Sequence, residues 1–346
     1  MYGYQDLLTD IGRFQRANLR TGAIGRTVLG APIPYVHIGS PRGGQAVVQA
    51  AIHAREHLTA ALTVGLIGFT LKNFPRELRS CGIYFIPMVN IDGVRLAQEG
   101  ADFIADPKRR EHLRQINRVV AQPKNEKIYD GFLRTGKKKT ADCNAAAIKT
   151  SIDPVHEKTG KDFAERLRND SDRSGDFSLW KASARAADLN CNFPARWGMG
   201  AENVKEPAAE SWPGPYPASE PETRALIDFT LKVRPKITIS YHSKGREIYW
   251  RFHQAEPALS RDRRLAEALA SATGYRLIDG DRNSAGGYKD WCVETLKIPA
   301  FTIEIADDRH AHPVPYSALP EESERNRGVP GIVLGYLQRM NKIKNP

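Results

Sequence analysis

The sequence contains few cysteines, and they are scattered. Its four cysteines, Cys81, Cys143, Cys191 and Cys292, are far apart, and none forms a CxxC pair. This number and spacing exclude a disulfide framework and a zinc site built from cysteine pairs. The chain also lacks any apolar stretch close to the roughly 18 residues that a membrane-spanning helix requires. We therefore expect a protein without a membrane span.

The beginning of the sequence lacks a recognisable targeting signal. Residues 1–15, MYGYQDLLTDIGRFQ, contain no basic segment followed by an apolar core, which is the pattern of a secretory signal peptide. We therefore expect a cytoplasmic protein, or an exported one if a leader has been removed ahead of Met1.

The composition is that of a basic globular protein. The 346 residues are 41% hydrophobic and 26% charged, with a net charge of +11. These fractions exclude a disordered chain, a collagen-like fibre and a coiled coil. Apart from Lys137–Lys139 the basic residues are dispersed, and no nucleic-acid-binding motif accompanies them. We interpret the charge as a contribution to solubility, and we expect no nucleic-acid partner and a monomer or weak oligomer.

Strand-like and helix-like segments alternate along the chain. Apolar runs at 46–53 and 300–306 predict buried strands, and 58–74 has the pattern of a helix. This alternation favours an α/β sheet in one continuous domain that covers residues 1–346.

Two further helices are predicted from local signals. Ser219 followed by Glu222 matches a capping box, which predicts a helix with Ser219 as its N-cap that runs to about Val233. The tail from about residue 320 is expected to form one C-terminal helix.

The segment at about 106–175 differs from the rest of the chain. It is rich in charged residues, poor in aromatic ones and without a clean period. We interpret it as a charged surface insertion, partly disordered. The alternative is a lid that faces the substrate.

Two histidines stand where apolar strands are predicted to end. His53 begins the segment His-Ala-Arg-Glu, so that His53 and Glu56 can point at one cation, and His242 follows a second strand. Ligands bind beyond the carboxyl ends of strands in open α/β sheets, and a catalytic zinc ion needs three protein ligands and one open position. The alternatives are an exposed pair at a capped helix start for His53 and Glu56, and a buried structural histidine for His242.

Glu304 stands inside the apolar run TIEI. A carboxylate is costly to bury unless it is paired or functional, and desolvation raises its pKa towards the range of a general base. The alternative is a structural ion pair with an arginine.

Seven motifs together resemble a known family. In chain order they are HAREH, MVNIDGV, WKASARAADLNCNFPARWG, SEPETRAL, SYHSKG, SAGGYKDWC and PAFTIEI. They resemble the zinc carboxypeptidase family (M14 metallopeptidases), and within it the bacterial γ-D-glutamyl-meso-diaminopimelate peptidases, which act on peptidoglycan stem peptides. The resemblance implies a central mixed, mostly parallel, twisted sheet of about eight strands with helices on both faces.

The resemblance also implies the roles of individual residues. One zinc ion per chain would be held by His53, Glu56 and His242. Glu304 takes the position of the catalytic glutamate, which moves a proton from the attacking water to the leaving amine. Arg55 and Asn190 match positions that bind substrate.

Two departures from the family pattern affect the expected reaction. Cys191 stands where most members have an arginine that clamps the C-terminal carboxylate of the substrate, so an endo-type or branch-specific cut is favoured over strict carboxypeptidase action. Lys181 aligns with the family's oxyanion-stabilising arginine, and Arg185 is the fallback for that role.

Four more positions are expected to contact substrate. Lys244 replaces a tyrosine of many relatives, Arg282 falls nearest to the place of the mobile active-site tyrosine, and Tyr288 is a second candidate for that place. Lys289 occupies the specificity position, where a lysine favours a carboxylate on the substrate. Diaminopimelate satisfies this preference, and so does an ordinary C-terminal glutamate or aspartate.

The function expected from these motifs is hydrolysis of the γ-D-glutamyl–diaminopimelate bond of peptidoglycan stem peptides. A conventional metallocarboxypeptidase and a catalytically impaired protein that binds wall peptides are alternatives. His53 to His57 also matches H-x-x-E-H, in which both histidines bind zinc, although that motif requires a helix.

Overall fold

A computed structural model of the chain describes residues 1–120, 175–279 and 284–344. The strands are β1 (Arg20–Arg26), β2 (Pro32–Gly39), β3 (Gln45–Ala50), β4 (Gly82–Ile86), β5 (Ile237–Ser243), β6 (Glu247–Tyr249), β7 (Arg276–Ile278) and β8 (Ala300–Ile305). The helices are α1 (Tyr4–Arg16), α2 (Leu58–Asn73), α3 (Ile91–Glu99), α4 (Pro107–Val120), α5 (Pro221–Val233), α6 (Ala258–Thr273), α7 (Tyr288–Glu294), α8 (Leu319–Asn326) and α9 (Val329–Lys344).

The strands form one mixed sheet of eight, in the order β1-β2-β4-β3-β5-β8-β6-β7. The pairs β4–β3, β3–β5, β5–β8 and β6–β7 are parallel, whereas β1–β2, β2–β4 and β8–β6 are antiparallel. The expected α/β domain with a mixed, mostly parallel sheet is therefore confirmed.

The centre of the sheet is buried and apolar. Every residue of β3 and β5 is buried, and so is every residue of β8 except Glu304. Strands covered on both faces have this character. Since β3, β5 and β8 are neighbours and parallel, their carboxyl ends meet at one edge of the sheet. His242 lies directly opposite Glu304 in the β5–β8 register.

The first predicted strand ends earlier than its apolar run. β3 stops at Ala50, and the next residue, Ala51, has a φ of 46° that turns the chain out of the sheet. His53 then lies in extended backbone before a 3₁₀ turn at Ala54–Glu56. The prediction that this stretch leads from a strand into a helix is confirmed, because α2 begins at Leu58.

The predicted capping box at Ser219 is wrong. Glu220 is the N-cap of α5, and Pro221 occupies the first helical position. Proline suits that position because its φ is fixed and it has no N–H to satisfy. The side chain of Glu222 accepts a hydrogen bond from the backbone N–H of Val28 at 2.9 Å instead of capping its own helix.

The C-terminal region forms two helices rather than one. α8 ends at Asn326 and α9 begins at Val329. Of the expected insertion at about 106–175, the structure describes α4, and residues 121–174 lie outside the described residues. Whether this insertion is a surface segment or a lid over the substrate therefore also concerns residues outside the described ranges. Among the described helices, none combines the length and the apolar character needed to cross a bilayer.

Candidate metal centre and active site

The turn after β3 brings His53 and Glu56 together. The backbone N–H of Glu56 donates to the carbonyl of His53 at 3.2 Å, which closes the 3₁₀ turn. As a result Glu56 Oε1 lies 2.8 Å from His53 Nδ1. Both side chains are buried, so the alternative of an exposed pair at a capped helix start is excluded.

His242 completes the cluster from the end of β5. Its Nδ1 lies 3.1 Å from His53 Nδ1 and 3.1 Å from Glu56 Oε2. The three side chains offer ligand atoms that all lie within 4.8 Å of one another. The structure therefore brings together the three predicted ligands, although the chain separates His53 from His242 by 189 positions.

The geometry of this cluster fits a zinc ion. Zinc–nitrogen bonds of about 2.0–2.1 Å in a tetrahedral site place two ligand atoms roughly 3.3 Å apart, close to the 3.1 Å between the two Nδ1 atoms. Burial opposes ionisation of Glu56, but His53 and His242 hold its pKa well below the usual range. The carboxylate is therefore ionised and available to a cation.

Asp188 contacts the ring nitrogen of His53 that lies away from Glu56 and His242, a role that no motif of the sequence predicted. Its Oδ1 lies 3.2 Å from His53 Nε2, which favours a proton on Nε2 and leaves the Nδ1 lone pair for a metal. The backbone N–H groups of Asn190 and Ser211 donate to the two oxygens of Asp188 at 3.0 and 3.1 Å. The signal was present in the motif, since Asp188 stands two positions before Asn190.

Glu304 opens onto the same cavity as the metal cluster. Burial raises its pKa to about 8, and Glu56 and Glu247 add to this effect, whereas His242 and Lys181 oppose it. Glu304 lines a cavity of about 300 Å³ together with His53 and His242. Within the part of the chain that the structure describes, no arginine pairs with Glu304, so the alternative of a structural ion pair fails there.

The two candidates for oxyanion stabilisation lie in different environments. Lys181 lines the cavity, and its Nζ lies 3.2 Å from Asp188 Oδ2. Burial disfavours its charge, but Asp188 and Glu210 raise its pKa above the ordinary value, so it stays protonated. Arg185 is exposed and does not line the cavity. The geometry therefore favours Lys181 over the fallback.

Asn190 and Cys191 form another part of the cavity wall. Asn190 Oδ1 accepts a hydrogen bond from the backbone N–H of Tyr288 at 3.1 Å. Burial raises the pKa of the Cys191 thiol well above its ordinary value, so the thiol is neutral at pH 7. A neutral thiol lacks the charge with which an arginine at this position would clamp a carboxylate.

The expectation that Tyr288 contacts substrate is wrong. Its side chain is fully buried in the core, where its hydroxyl lies 2.8 Å from Thr230 Oγ1 and its ring packs against Phe193 and Trp291. An aromatic side chain with its one polar atom satisfied in the core gains nothing by turning towards the cavity. Arg282 lies outside the described residues.

Lys289 lines the cavity, and its charge is already paired. Its Nζ lies 2.5 Å from Asp290 Oδ1 and donates to the carbonyl of Arg251 at 3.0 Å. A substrate carboxylate would therefore compete with Asp290 for the ammonium group.

Arg55 and Lys244 do not belong to the cavity lining. Arg55 pairs with Glu210 at 2.8 Å and donates to the carbonyl of Leu179 at 3.1 Å. Lys244 donates to the carbonyl of Asp308 at 2.9 Å. Both contacts tie segments around the site together, and a role in substrate binding remains a prediction for these two residues.

His57 does not join the metal cluster. It is buried as the N-cap of α2, and the group of potential ligands contains His242 in its place. The two histidines of the H-x-x-E-H motif would have to share one helix, whereas His53 lies in extended backbone. The structure thus disfavours that alternative.

Comparisons with known proteins point in one direction. A family model described as zinc carboxypeptidase matches residues 13–328. Gamma-D-glutamyl-L-diamino acid endopeptidase 1 of Lysinibacillus sphaericus is 28% identical over 328 residues, which cover 90% of this chain and 67% of that protein. Murein peptide amidase A of Escherichia coli (strain K12) is 28% identical over 147 residues, which cover 38% of this chain and 56% of that protein.

A solved structure shares the fold. Bovine thrombin-activatable fibrinolysis inhibitor, solved in complex with a tick carboxypeptidase inhibitor, matches with a TM-score of 0.64 at 18% identity. The match covers 98% of this chain and 97% of that one. At this identity the likeness concerns the fold alone.

Proposed function

The chain belongs to the zinc carboxypeptidase family and is a zinc-dependent hydrolase, and from that premise we propose that it cuts the γ-D-glutamyl–diaminopimelate bond of peptidoglycan stem peptides. The proposed reaction depends on one observation above all. Glu304 lines the same cavity as two of the metal-binding side chains, His53 and His242, and lies opposite His242 in the sheet.

We assign the proton transfers to Glu304. His53, Glu56 and His242 would hold the zinc ion, which would supply Lewis-acid chemistry for the scissile carbonyl and the attacking water. Glu304 accepts a proton from the attacking water and delivers it to the leaving amine. Burial raises the pKa of Glu304 to about 8, and a zinc ion bound nearby would lower it again. The carboxylate would then be present at neutral pH and still bind a proton well enough to carry it.

We assign stabilisation of the oxyanion to Lys181. Its ammonium group lines the cavity and is kept charged by Asp188. A lysine acts there as a point charge, without the planar fork of an arginine.

The proposed substrate rests on two residues and one relative. Cys191 cannot clamp a terminal carboxylate, which disfavours an ordinary carboxypeptidase. Lys289 places a cation in the cavity wall, and diaminopimelate has a second carboxylate for it. A relative that covers 90% of this chain is named an endopeptidase for γ-D-glutamyl-L-diamino acids.

The test of the reaction is Glu304→Gln in the zinc-loaded protein. We expect kcat to fall by about 10²- to 10⁴-fold, the usual contribution of a general base, with the zinc content unchanged. Glu267→Gln is the matched control, because Glu267 forms an exposed ion pair with Arg263 on α6. Full activity in Glu304→Gln would refute the assigned role.

The test of the substrate is mass spectrometry of products from L-Ala-γ-D-Glu-meso-diaminopimelate beside ordinary peptides ending in Glu, Lys or Phe. Release of diaminopimelate from the tripeptide alone supports the proposal. Release of C-terminal residues from the ordinary peptides would instead identify a conventional carboxypeptidase, and tight binding without turnover would identify an impaired relative.

A further inference from the structure

The lining of the cavity carries charges of both signs. It includes Lys289 and Asp290, together with Glu202 and Asn203 from the loop after Gly200. We refer to these four lining residues as the wall. Neither Glu202 nor Asn203 was singled out by the sequence, and the assigned mechanism uses neither of them. Their chemistry indicates what the wall binds.

The charge of the Lys289 ammonium group is balanced by Asp290, but not all of its N–H donors are used. Of its three N–H donors, one goes to the carbonyl of Arg251, and Asp290 Oδ1 lies 2.5 Å from Nζ without completing a hydrogen bond. Among the described residues, at least one donor is therefore left for a ligand. Because Asp290 already balances the positive charge, the attraction of Lys289 for a carboxylate comes from this hydrogen bond rather than from an uncompensated charge.

Asn203 supplies a second donor without a partner. Its Nδ2 is buried and makes no hydrogen bond within the described residues. An unpartnered buried N–H destabilises the free protein until an acceptor arrives. A carboxylate has two oxygens and so offers acceptors to both Lys289 and Asn203.

Glu202 supplies the opposite charge. It is an exposed side chain of the cavity wall, and it has no ion-pair partner in the ranges that the structure describes. With Lys289 and Asp290 balancing each other, the carboxylate of Glu202 is the uncompensated charge among these four residues, and it attracts an ammonium group.

We propose that this wall binds the distal end of a diamino dicarboxylic acid as a zwitterion, with Lys289 and Asn203 on the carboxylate and Glu202 on the ammonium group. A ligand of this kind brings both charges at once, so it leaves neither Glu202 nor the free donors unpaired. The inference rests on the proposed function for the identity of the bond that is cut, and it adds which end of the leaving residue is recognised and by which side chains.

Four substrates test the distal carboxylate and the distal ammonium group separately. L-Ala-γ-D-Glu is joined to meso-diaminopimelate, to L-lysine, to L-2-aminopimelate or to L-norleucine, which carry both distal groups, the ammonium only, the carboxylate only, or neither. We expect kcat/KM for diaminopimelate to exceed that for lysine and for aminopimelate by at least about tenfold each, the effect of one charge-assisted hydrogen bond. Equal values for the four substrates would overturn the proposal.

Two variants assign the charges to residues. Glu202→Gln should lower kcat/KM about tenfold for diaminopimelate and lysine, and leave aminopimelate and norleucine unchanged. Lys289→Met should lower kcat/KM about tenfold for diaminopimelate and aminopimelate, and leave kcat/KM for the lysine substrate unchanged. Glu206→Gln is the matched control, since Glu206 stands in the same loop but does not line the cavity.

Lys289→Met leaves Asp290 buried without its partner, and the variant protein can fail to fold for that reason. Glu202 is exposed, so Glu202→Gln keeps the proposal testable by itself. An equal effect of Glu202→Gln on lysine and norleucine, or no effect on either, would refute the role of Glu202.

A second set of substrates tests this inference independently of the proposed function. In these compounds the same four leaving residues are joined to benzoyl-glycine instead of L-Ala-γ-D-Glu. Cleavage of these compounds alone, in the same order of preference, would refute the γ-D-glutamyl bond and support the zwitterion site. Cleavage of the γ-D-glutamyl series alone, with equal rates for the four leaving residues, would support the γ-D-glutamyl bond and refute the zwitterion site.

Calorimetric titration of zinc-loaded protein with the four free amino acids gives a readout that needs no turnover. Diaminopimelate should bind at least about tenfold more tightly than the other three, and equal binding of all four would overturn the proposal.

Discussion

Asp188 determines which nitrogen of His53 faces the metal cluster. One of its oxygens lies 3.2 Å from His53 Nε2, and the other lies 3.2 Å from Lys181 Nζ. A carboxylate behind a ligating histidine fixes the ring and makes it more basic, and its loss weakens metal binding about 10- to 100-fold. We expect a loss of this size in Asp188→Asn, measured by competition with a chelator of known affinity.

The matched control for this change is Asp228→Asn, because Asp228 is an exposed residue of α5. The zinc affinity of the control should equal that of the wild type. If Asp188→Asn also binds zinc normally, His53 is oriented by packing alone and the role given to Asp188 is wrong.

Glu222 is a buried carboxyl group that does not line the cavity. Its Oε1 accepts a hydrogen bond from the N–H of Val28 at 2.9 Å, and its Oε2 has no hydrogen-bond partner among the described residues. Burial raises its pKa from 4.5 to about 8 despite that hydrogen bond. Between these two values the folded chain holds a proton that the unfolded chain has released. The free energy of unfolding therefore falls as the pH rises through this window.

Glu222→Gln removes this titration. Compared with the wild type, the variant should lose less stability between about pH 5 and pH 8, by roughly 2–4 kcal/mol. Urea denaturation at three pH values measures the difference, with Glu267→Gln as the exposed control. Parallel pH profiles for wild type and Glu222→Gln would contradict the burial of an ionisable group here.

At the scale of elements, the loop before α7 packs against the loop that carries Asn190 and Cys191. Gly286 has a φ of 80°, and a Cβ at this position would collide with the carbonyl oxygen of Cys191. Gly286 also accepts from the N–H of Phe193 at 2.9 Å and donates to the carbonyl of Ala195 at 2.8 Å. The two halves of the cavity wall are thus held at a fixed distance.

Gly286→Ala should destabilise the protein by about 1–3 kcal/mol and lower kcat/KM, because Asn190 and Lys289 are displaced. Gly68→Ala is the matched control. Gly68 lies within α2, and its added Cβ would meet no atom within 4 Å in the described parts of the chain. That change should stabilise the protein by about 0.5–1 kcal/mol. Thermal unfolding and kinetics measure both, and effects of the same sign would contradict the packing argument.

At the scale of the whole molecule, the metal cluster joins distant parts of the chain. His53 and Glu56 follow β3, whereas His242 ends β5. Zinc that binds the folded chain and not the unfolded one stabilises it by mass action. At a free zinc concentration of about 100 Kd, we expect Tm to rise by roughly 3–8 °C over the metal-free protein.

Two variants show which histidines are responsible for the rise. His242→Ala should abolish the zinc-dependent rise in Tm, and His57→Ala should retain it whatever its own effect on stability. Loss of the response in His57→Ala, with retention in His242→Ala, would favour the H-x-x-E-H arrangement instead.

The sequence by itself determined that strands and helices alternate and which types of residue stand at the ends of the central strands. Strand and helix patterns arise from residues that are near in sequence, so β3, α2 and β8 were predictable from their apolar runs. His53 and Glu56 are also close in sequence, and Glu304 was conspicuous as the carboxylate of an apolar strand.

Only the tertiary structure decided which side chains meet across the chain. Asp188 behind His53, the pairing of Lys289 with Asp290, the burial of Tyr288 in the core and the contact of Glu222 with Val28 all follow from the packing of segments. Local patterns limit what a residue can do, but its partner depends on which backbone and side-chain groups the folded sheet and helices bring within hydrogen-bond distance.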